Sequence, residues 1–145
     1  MLGLGNRLDP TYNVEGHPMT TTLQDRIAEL TRGMLKKRLY AVISKGSGRP
    51  ELLQSLLPEH LKYMIGLEKA GLLFASGPFG AGDSAVPGDG LTILKVDTLE
   101  HARSLAGIDP FVRSGARSFT VREWTLMEGS MQLTVSFSDK AMDRG

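Results

Sequence analysis

A chain of 145 residues, 41% hydrophobic and 23% charged, is sized for one domain around one core. Its 17 Lys and Arg against 16 Asp and Glu leave a net charge of +1, too weak a field to gather nucleic acid or anionic lipid. The lack of cysteine excludes disulfides, thiolate chemistry, zinc ribbons and iron–sulfur clusters, and no apolar run reaches the roughly 20 residues of a membrane span. No basic segment followed by an apolar one opens the chain, so a signal peptide is not expected and a cytoplasmic location is.

Residues 1–19, rich in Gly, Pro, Asn and His without hydrophobic period, read as a flexible leader, within which Met19 is an alternative start. Residues 20–38 predict an N-terminal helix. Thr21 and Gln24 form a capping box, Leu23, Ile27, Leu30 and Met34 a stripe, and Lys36, Lys37 and Arg38 suit the negative helix end. Leu39–Ile43 is the first strand, closed by Gly46-Ser47-Gly48. Pro50–Leu57 offers one or two helical turns, and Pro58 restarts a helix that stops at Gly71. Leu72–Ser76 is the second strand.

The stretch Gly77–Gly90 holds five glycines and two prolines, a loop long enough to be functional. Leu91–Val96 is the third strand; Asp97 with Glu100 caps a third helix, which Asp109-Pro110 closes. Arg117–Leu126 and Met131–Phe137 alternate as fourth and fifth strands, and the residues from Lys140 look frayed. The order β-α-β-β-α-β, with an added N-terminal helix and C-terminal strand, is the ferredoxin-like split βαβ of the α+β class. Its helices cover one sheet face, so the other face predicts pairing into a homodimer.

Several motifs fail on context. Gly80–Ala85 matches G-x-G-x-x-A, but Val86-Pro87-Gly88 opens no helix to hold a pyrophosphate. Three scattered histidines make no structural metal site. Lys36–Arg38 reads as a solvated helix end, His17 and His101 as solvent residues, and Trp124 as core. His60 differs. It stands third in the helix expected from Pro58, in line with Met64 and Leu67, where the helix N-terminus would favour the neutral imidazole a general base needs. A packed or exposed structural histidine is the alternative. Asp109 sits at the unfavourable pole of a helix; an Asp-Pro turn accounts for it, and a functional carboxylate is the other reading. Arg113 and Arg117 flank Gly115 and can hold a carboxylate or phenolate.

The segments Leu57–Tyr63, Leu67–Pro78, Gly90–Ile93, Asp109–Phe111 and Gly115–Trp124, in this order and spacing, resemble the YCII-related proteins across about residues 39–129. The resemblance implies a dimeric α+β barrel akin to muconolactone isomerase, with a histidine–aspartate active site falling on His60 and Asp109. It also implies isomerase- or lyase-like work on ring-derived metabolites, including dehydrochlorination of a chlorinated hydroxyquinol. Val112 and Glu123 stand where close members carry histidine and proline, which leaves a one-histidine site. The expected domain spans 39–138. Its catalytic residues are His60 and Asp109; its substrate-binding residues are Ser76, Gly77, Pro78, Phe111, Arg113 and Arg117. The Gly77 amide is expected to hold an enolate or phenolate oxygen, with Phe79–Asp89 as a lid. No cofactor is implied, and the partners are a second copy and a small molecule, with neither nucleic acid nor membrane. The rival reading is a non-catalytic homodimer that binds a small ligand.

Overall fold

A computed structural model describes residues 21–138 and 142–144. The expectations placed on residues 1–19 lie outside them. The chain divides into two compact units, up to Met34 and from Leu35.

In the first unit, helix α1 (Leu23–Leu30) is capped by Thr22 rather than Thr21. Its hydroxyl accepts from the Asp25 amide at 3.1 Å, and the Asp25 carboxylate accepts from the Thr22 amide at 3.0 Å. The Thr22 hydroxyl, 2.6 Å from the Asp25 carboxylate, and then the Thr22 amide hold that carboxyl below the usual range. The helix is shorter than the 20–38 expected. Thr31 turns its hydroxyl onto the Ile27 carbonyl, and Gly33 and Lys36 take positive φ, which no helix tolerates. Lys37 and Arg38 therefore begin a strand.

The second unit holds β1 (Lys37–Gly46), α2 (Pro50–Lys69), β2 (Leu73–Pro78), β3 (Gly90–Leu94), α3 (Leu99–Gly107), α4 (Pro110–Arg113) and β4 (Arg117–Leu126). All pairings are antiparallel in the order β2-β3-β1-β4, with Val42 opposite both Thr92 and Val121. Two β-α-β passes wound into this order make the ferredoxin-like α+β fold expected from the sequence.

Strand alternation sends Tyr40, Val42, Phe119 and Val121 to one face, where they pack with Tyr63, Met64 and Leu67 of α2 and Leu99, Ala102 and Ala106 of α3. On the opposite face Leu39 and Ile93 are buried, whereas Ile43 and Trp124 are 36% and 40% exposed. Trp124 is thus not the core residue expected.

Further elements differ from the sequence reading. Helix α2 is one helix of 20 residues with Pro50 in its first turn and Pro58 inside it. Loss of one donor at Pro58 does not outweigh a continuous apolar face. Gly71, at φ 75°, closes it as expected, and the Leu72 amide donates back to the Leu67 carbonyl. Helix α3 is capped by Thr98, not Asp97, through the His101 amide at 3.1 Å. The C-terminal strand, β5 (Leu133–Val135), pairs with β6 (Met142–Arg144) in a hairpin of its own and does not join the four-stranded sheet. Its alternation fits any sheet edge, and the following residues supply one. Met131, Leu133, Val135 and Phe137 all stand exposed.

Candidate functional site

Asp109 stands where α3 gives way to α4. Pro110 pre-sets the first turn of α4, and the Asp109 carboxylate caps it, Oδ1 accepting from the Phe111 amide at 2.9 Å. An anion that looks misplaced at the end of α3 is therefore well placed at the start of the next helix. The residue is 6% exposed, so its charge needs partners. It has two more: His60 Nδ1 lies 2.8 Å from Oδ1, and Arg117 Nη1 lies 3.6 Å from Oδ2.

His60 projects from the middle of α2, ten residues past Pro50, because the two predicted helices are one. The helix-end field expected at this histidine is therefore absent, and Asp109 sets the ring's state instead. A carboxylate facing Nδ1 makes that nitrogen the donor and leaves Nε2 as the acceptor. The ring stacks on Phe111, centroids 4.1 Å apart and planes 15° from parallel, which locks its tilt.

Arg117, at the start of β4, is the third corner. Its side chain is 9% exposed, its Cζ lies 5.1 Å from the Phe111 centroid, and its Nε donates to the Gly88 carbonyl at 2.8 Å. Burial pulls the guanidinium below its usual range, while Asp109 and Asp89 act in the opposite sense. Tyr63, one turn after His60, donates its hydroxyl to the Leu105 carbonyl. Burial, with the Asp109 charge, pushes this phenol up to about 12.

His60, Phe111 and Arg117 of this cluster meet a cavity of about 370 Å³ between α2 and the β2–β3 pair. Leu57, His60, Leu61, Met64, Ile65 and Glu68 line it at helical spacing. Ser76, Gly77, Pro78, Phe111 and Arg117 line it too, as the sequence reading grouped them. Ser76 and Thr92 share a hydrogen bond of 2.8 Å on its sheet wall. Gly77 is paired opposite Leu91 within β2, so it is part of a strand rather than a free lip.

Arg113 is not brought to this cavity. Two residues past buried Phe111 on α4, it turns outward into solvent. Asp109 stands behind His60 and does not line the cavity, so it can act on a ligand only through the imidazole and Arg117. None of residues 79–89 lines it either. The glycine-rich loop is pinned at its base: the Asp89 carboxylate accepts from the Gly46 and Val86 amides, and the Asp89 carbonyl accepts from the Phe79 amide.

Tyr63, Thr92 and Asp89 were not legible as site residues, because each acts through a partner distant in sequence. Among the described residues no group of three or more His, Cys, Asp or Glu can hold a metal, and no helix is long and apolar enough to cross a membrane.

No curated protein matches the chain. Among solved structures it is similar to 5-chloro-2-hydroxyhydroquinone dehydrochlorinase from Burkholderia phenoliruptrix AC1100, in complex with 2,5-dihydroxybenzoquinone. The TM-score is 0.50 at 22% identity, covering 59% of this chain and 92% of that one, a likeness of fold. The YCII-related domain matches residues 38–125, more than half of the sequence, and the chain belongs to that family.

Proposed function

We propose that this protein is a small-molecule enzyme of lyase or isomerase type, acting on a ring-derived metabolite with His60 as its acid–base residue. The observation that carries the reading is the 2.8 Å bond from Asp109 to Nδ1 of a histidine that also lines a ring-sized cavity. Nδ1 is occupied, so Nε2 is the nitrogen available to a ligand. It takes a proton from a substrate C–H or O–H, and the electron pair released forms a new π-bond in the ring. In a lyase, chloride leaves with the electrons of the C–Cl bond; in an isomerase, the imidazolium returns the proton to another atom. Asp109 is a positioning residue that holds the tautomer and balances the imidazolium. Ser76, Gly77, Pro78 and Phe111 enclose the ring. The reading requires no cofactor.

The dehydrochlorinase named above supports the substrate class through shared family and fold. The test is a panel of chlorinated hydroxyquinols and unsaturated lactones, followed by chloride release and ultraviolet absorbance. Turnover by the wild type that falls about 10²–10⁴-fold in His60→Gln, with folding intact, supports the reading. Turnover that survives His60→Gln refutes His60 as the acid–base residue, and no turnover of any compound by the wild type leaves the pair a structural contact in a ligand-binding protein.

The functional unit is the domain that begins at β1, in a cytoplasmic homodimer. Ile43 and Trp124, exposed on the sheet face away from the helices, support a second copy there. A monomer by light scattering at micromolar concentration refutes the dimer.

A further inference from the structure

Arg117 is largely covered yet spends little of its hydrogen-bonding capacity on the protein. Its side chain is 9% exposed, yet among the described residues only Nε makes a hydrogen bond, to the Gly88 carbonyl. A guanidinium carries five N–H donors, so the four on Nη1 and Nη2 are left without a hydrogen bond. Nη1 stands 3.6 Å from Asp109 Oδ2, a charge contact longer than a hydrogen bond. Asp109 Oδ1 accepts from His60 and the Phe111 amide, and Oδ2 meets Arg117 only through this longer charge contact. Among the described residues no buried side-chain nitrogen or oxygen lacks a partner, so these donors are not sealed in the core: the guanidinium is largely covered, and its unbonded nitrogens keep access to open space. The open donors belong to a residue that lines the cavity. Beside Nη2 the chain carries glycine: a Cβ at Gly90 would lie 3.5 Å from Nη2 and 3.2 Å from the Gly77 carbonyl.

We propose that Arg117 is the anion-binding residue of this cavity, and that its ligands are ring compounds bearing an ionised oxygen or one that becomes ionised as His60 takes a proton. The proposal rests on the cavity being the substrate site and adds the charge class of what enters it. Charge balance gives the chemical reason. Before proton transfer Arg117 and Asp109 cancel and His60 is neutral. When Nε2 takes the proton, an imidazolium appears beside Asp109, and the electron pair left on the substrate delocalises onto an oxygen beside Arg117. Each new charge meets a fixed counter-charge, and the cluster as a whole changes by none. A cation or a neutral ring leaves the Nη donors empty. The apolar wall of Leu57, Leu61 and Ile65 takes the ring body and does not discriminate by charge.

Benzoate and benzamide share a ring and nearly a shape, and differ in charge, so they separate this idea from general ring binding. Calorimetric titration of the wild type at neutral pH is expected to show benzoate bound about 10- to 100-fold more tightly, the range of a charge-assisted hydrogen bond. Arg117→Gln is expected to bring the ratio near one by weakening benzoate alone. Arg117→Lys keeps a point charge without the fork, so its ratio falls between the two. The affinity ratio is read without turnover, and turnover without the ratio, so the charge selection and the catalytic reading fail separately. Equal affinities in the wild type, including no measurable binding of either, overturn the proposal. So does a wild-type ratio retained in Arg117→Gln or, if that variant does not fold, in Arg117→Lys.

Discussion

The pairing of Asp109 with Arg117 can be weighed by removing one charge at a time. Asp109→Asn keeps an oxygen that caps α4 through the Phe111 amide, so the helix start survives and only the charge goes. Arg117, 9% exposed, then loses its nearest counter-charge and keeps only the more distant influence of Asp89. Two unit charges at the observed 3.6 Å attract by about 4–5 kcal/mol at an effective dielectric near 20. Desolvation of both groups offsets part of this, and the cavity beside Arg117 admits water, so the net loss expected for Asp109→Asn is about 2–3 kcal/mol. Arg117→Met should lose a similar amount, including its bond to the Gly88 carbonyl. The double variant should lose about 1–3 kcal/mol less than the sum, because neither charge is left stranded. Asp109→Ala should cost about 1 kcal/mol more than Asp109→Asn through loss of the cap. Urea denaturation of the wild type, both single variants and the double variant measures the cycle. Additive losses, or a loss under about 1 kcal/mol for Asp109→Asn, would show that Arg117 does not depend on Asp109 for its charge balance.

Three further outcomes follow from single residues. The folded-state value of about 12 for the Tyr63 phenol lies above its ordinary 10.0, so its contribution to stability is intact below pH 10 and is lost as pH rises through 12; denaturation across that window should show a falling slope that Tyr63→Phe removes. A Cβ at Gly46 would lie 1.8 Å from the Pro87 carbonyl oxygen, so Gly46→Ala should cost roughly 3 kcal/mol or more, and wild-type thermal stability in that variant would contradict the close approach. Pro58→Ala restores a donor to the Gln54 carbonyl inside α2 and should stabilise the protein by about 1–3 kcal/mol, read from the urea midpoint; no gain would mean that α2 loses nothing at Pro58.

What the sequence discloses and what it hides divide along the range of each interaction. Strands β1, β3 and β4 and helix α3 were legible because their periods are written in consecutive residues, and with them the split βαβ order. The His60–Asp109 pair was legible as two local oddities that coincide with a family pattern. The continuity of α2 was not, because proline rules are local while the apolar face that carries the helix past Pro58 is a property of all 20 residues. Helix α4 has four residues, too few to show a period, so Asp109 read as the end of one helix and not as the cap of another. The partner of β5 was hidden because alternation specifies a face and leaves the edge it pairs with open. Arg113 and Arg117 could not be told apart from spacing alone; α4 turns one outward while β4 carries the other into the cavity wall.

The apolar row of α2 shows why a site can hide inside a core pattern. Leu57, Leu61, Met64 and Ile65 repeat at helical spacing, and periodicity says only that such a face turns toward protein. It does not say whether the space opposite is filled. Met64 packs against the core, while Leu57, Leu61 and Ile65 are 46%, 48% and 48% exposed, though all four line the same cavity. The helix face thus begins as core and continues as a wall, and His60 stands on the wall with its ring clamped by Phe111 and Asp109. The space left is about 370 Å³, within the range of small-molecule sites, and it divides between the apolar α2 side chains and the polar His60, Glu68, Ser76, Thr92 and Arg117. An apolar ring body bearing oxygens matches that division, and a ligand polar all round would leave the three α2 side chains facing groups they cannot satisfy.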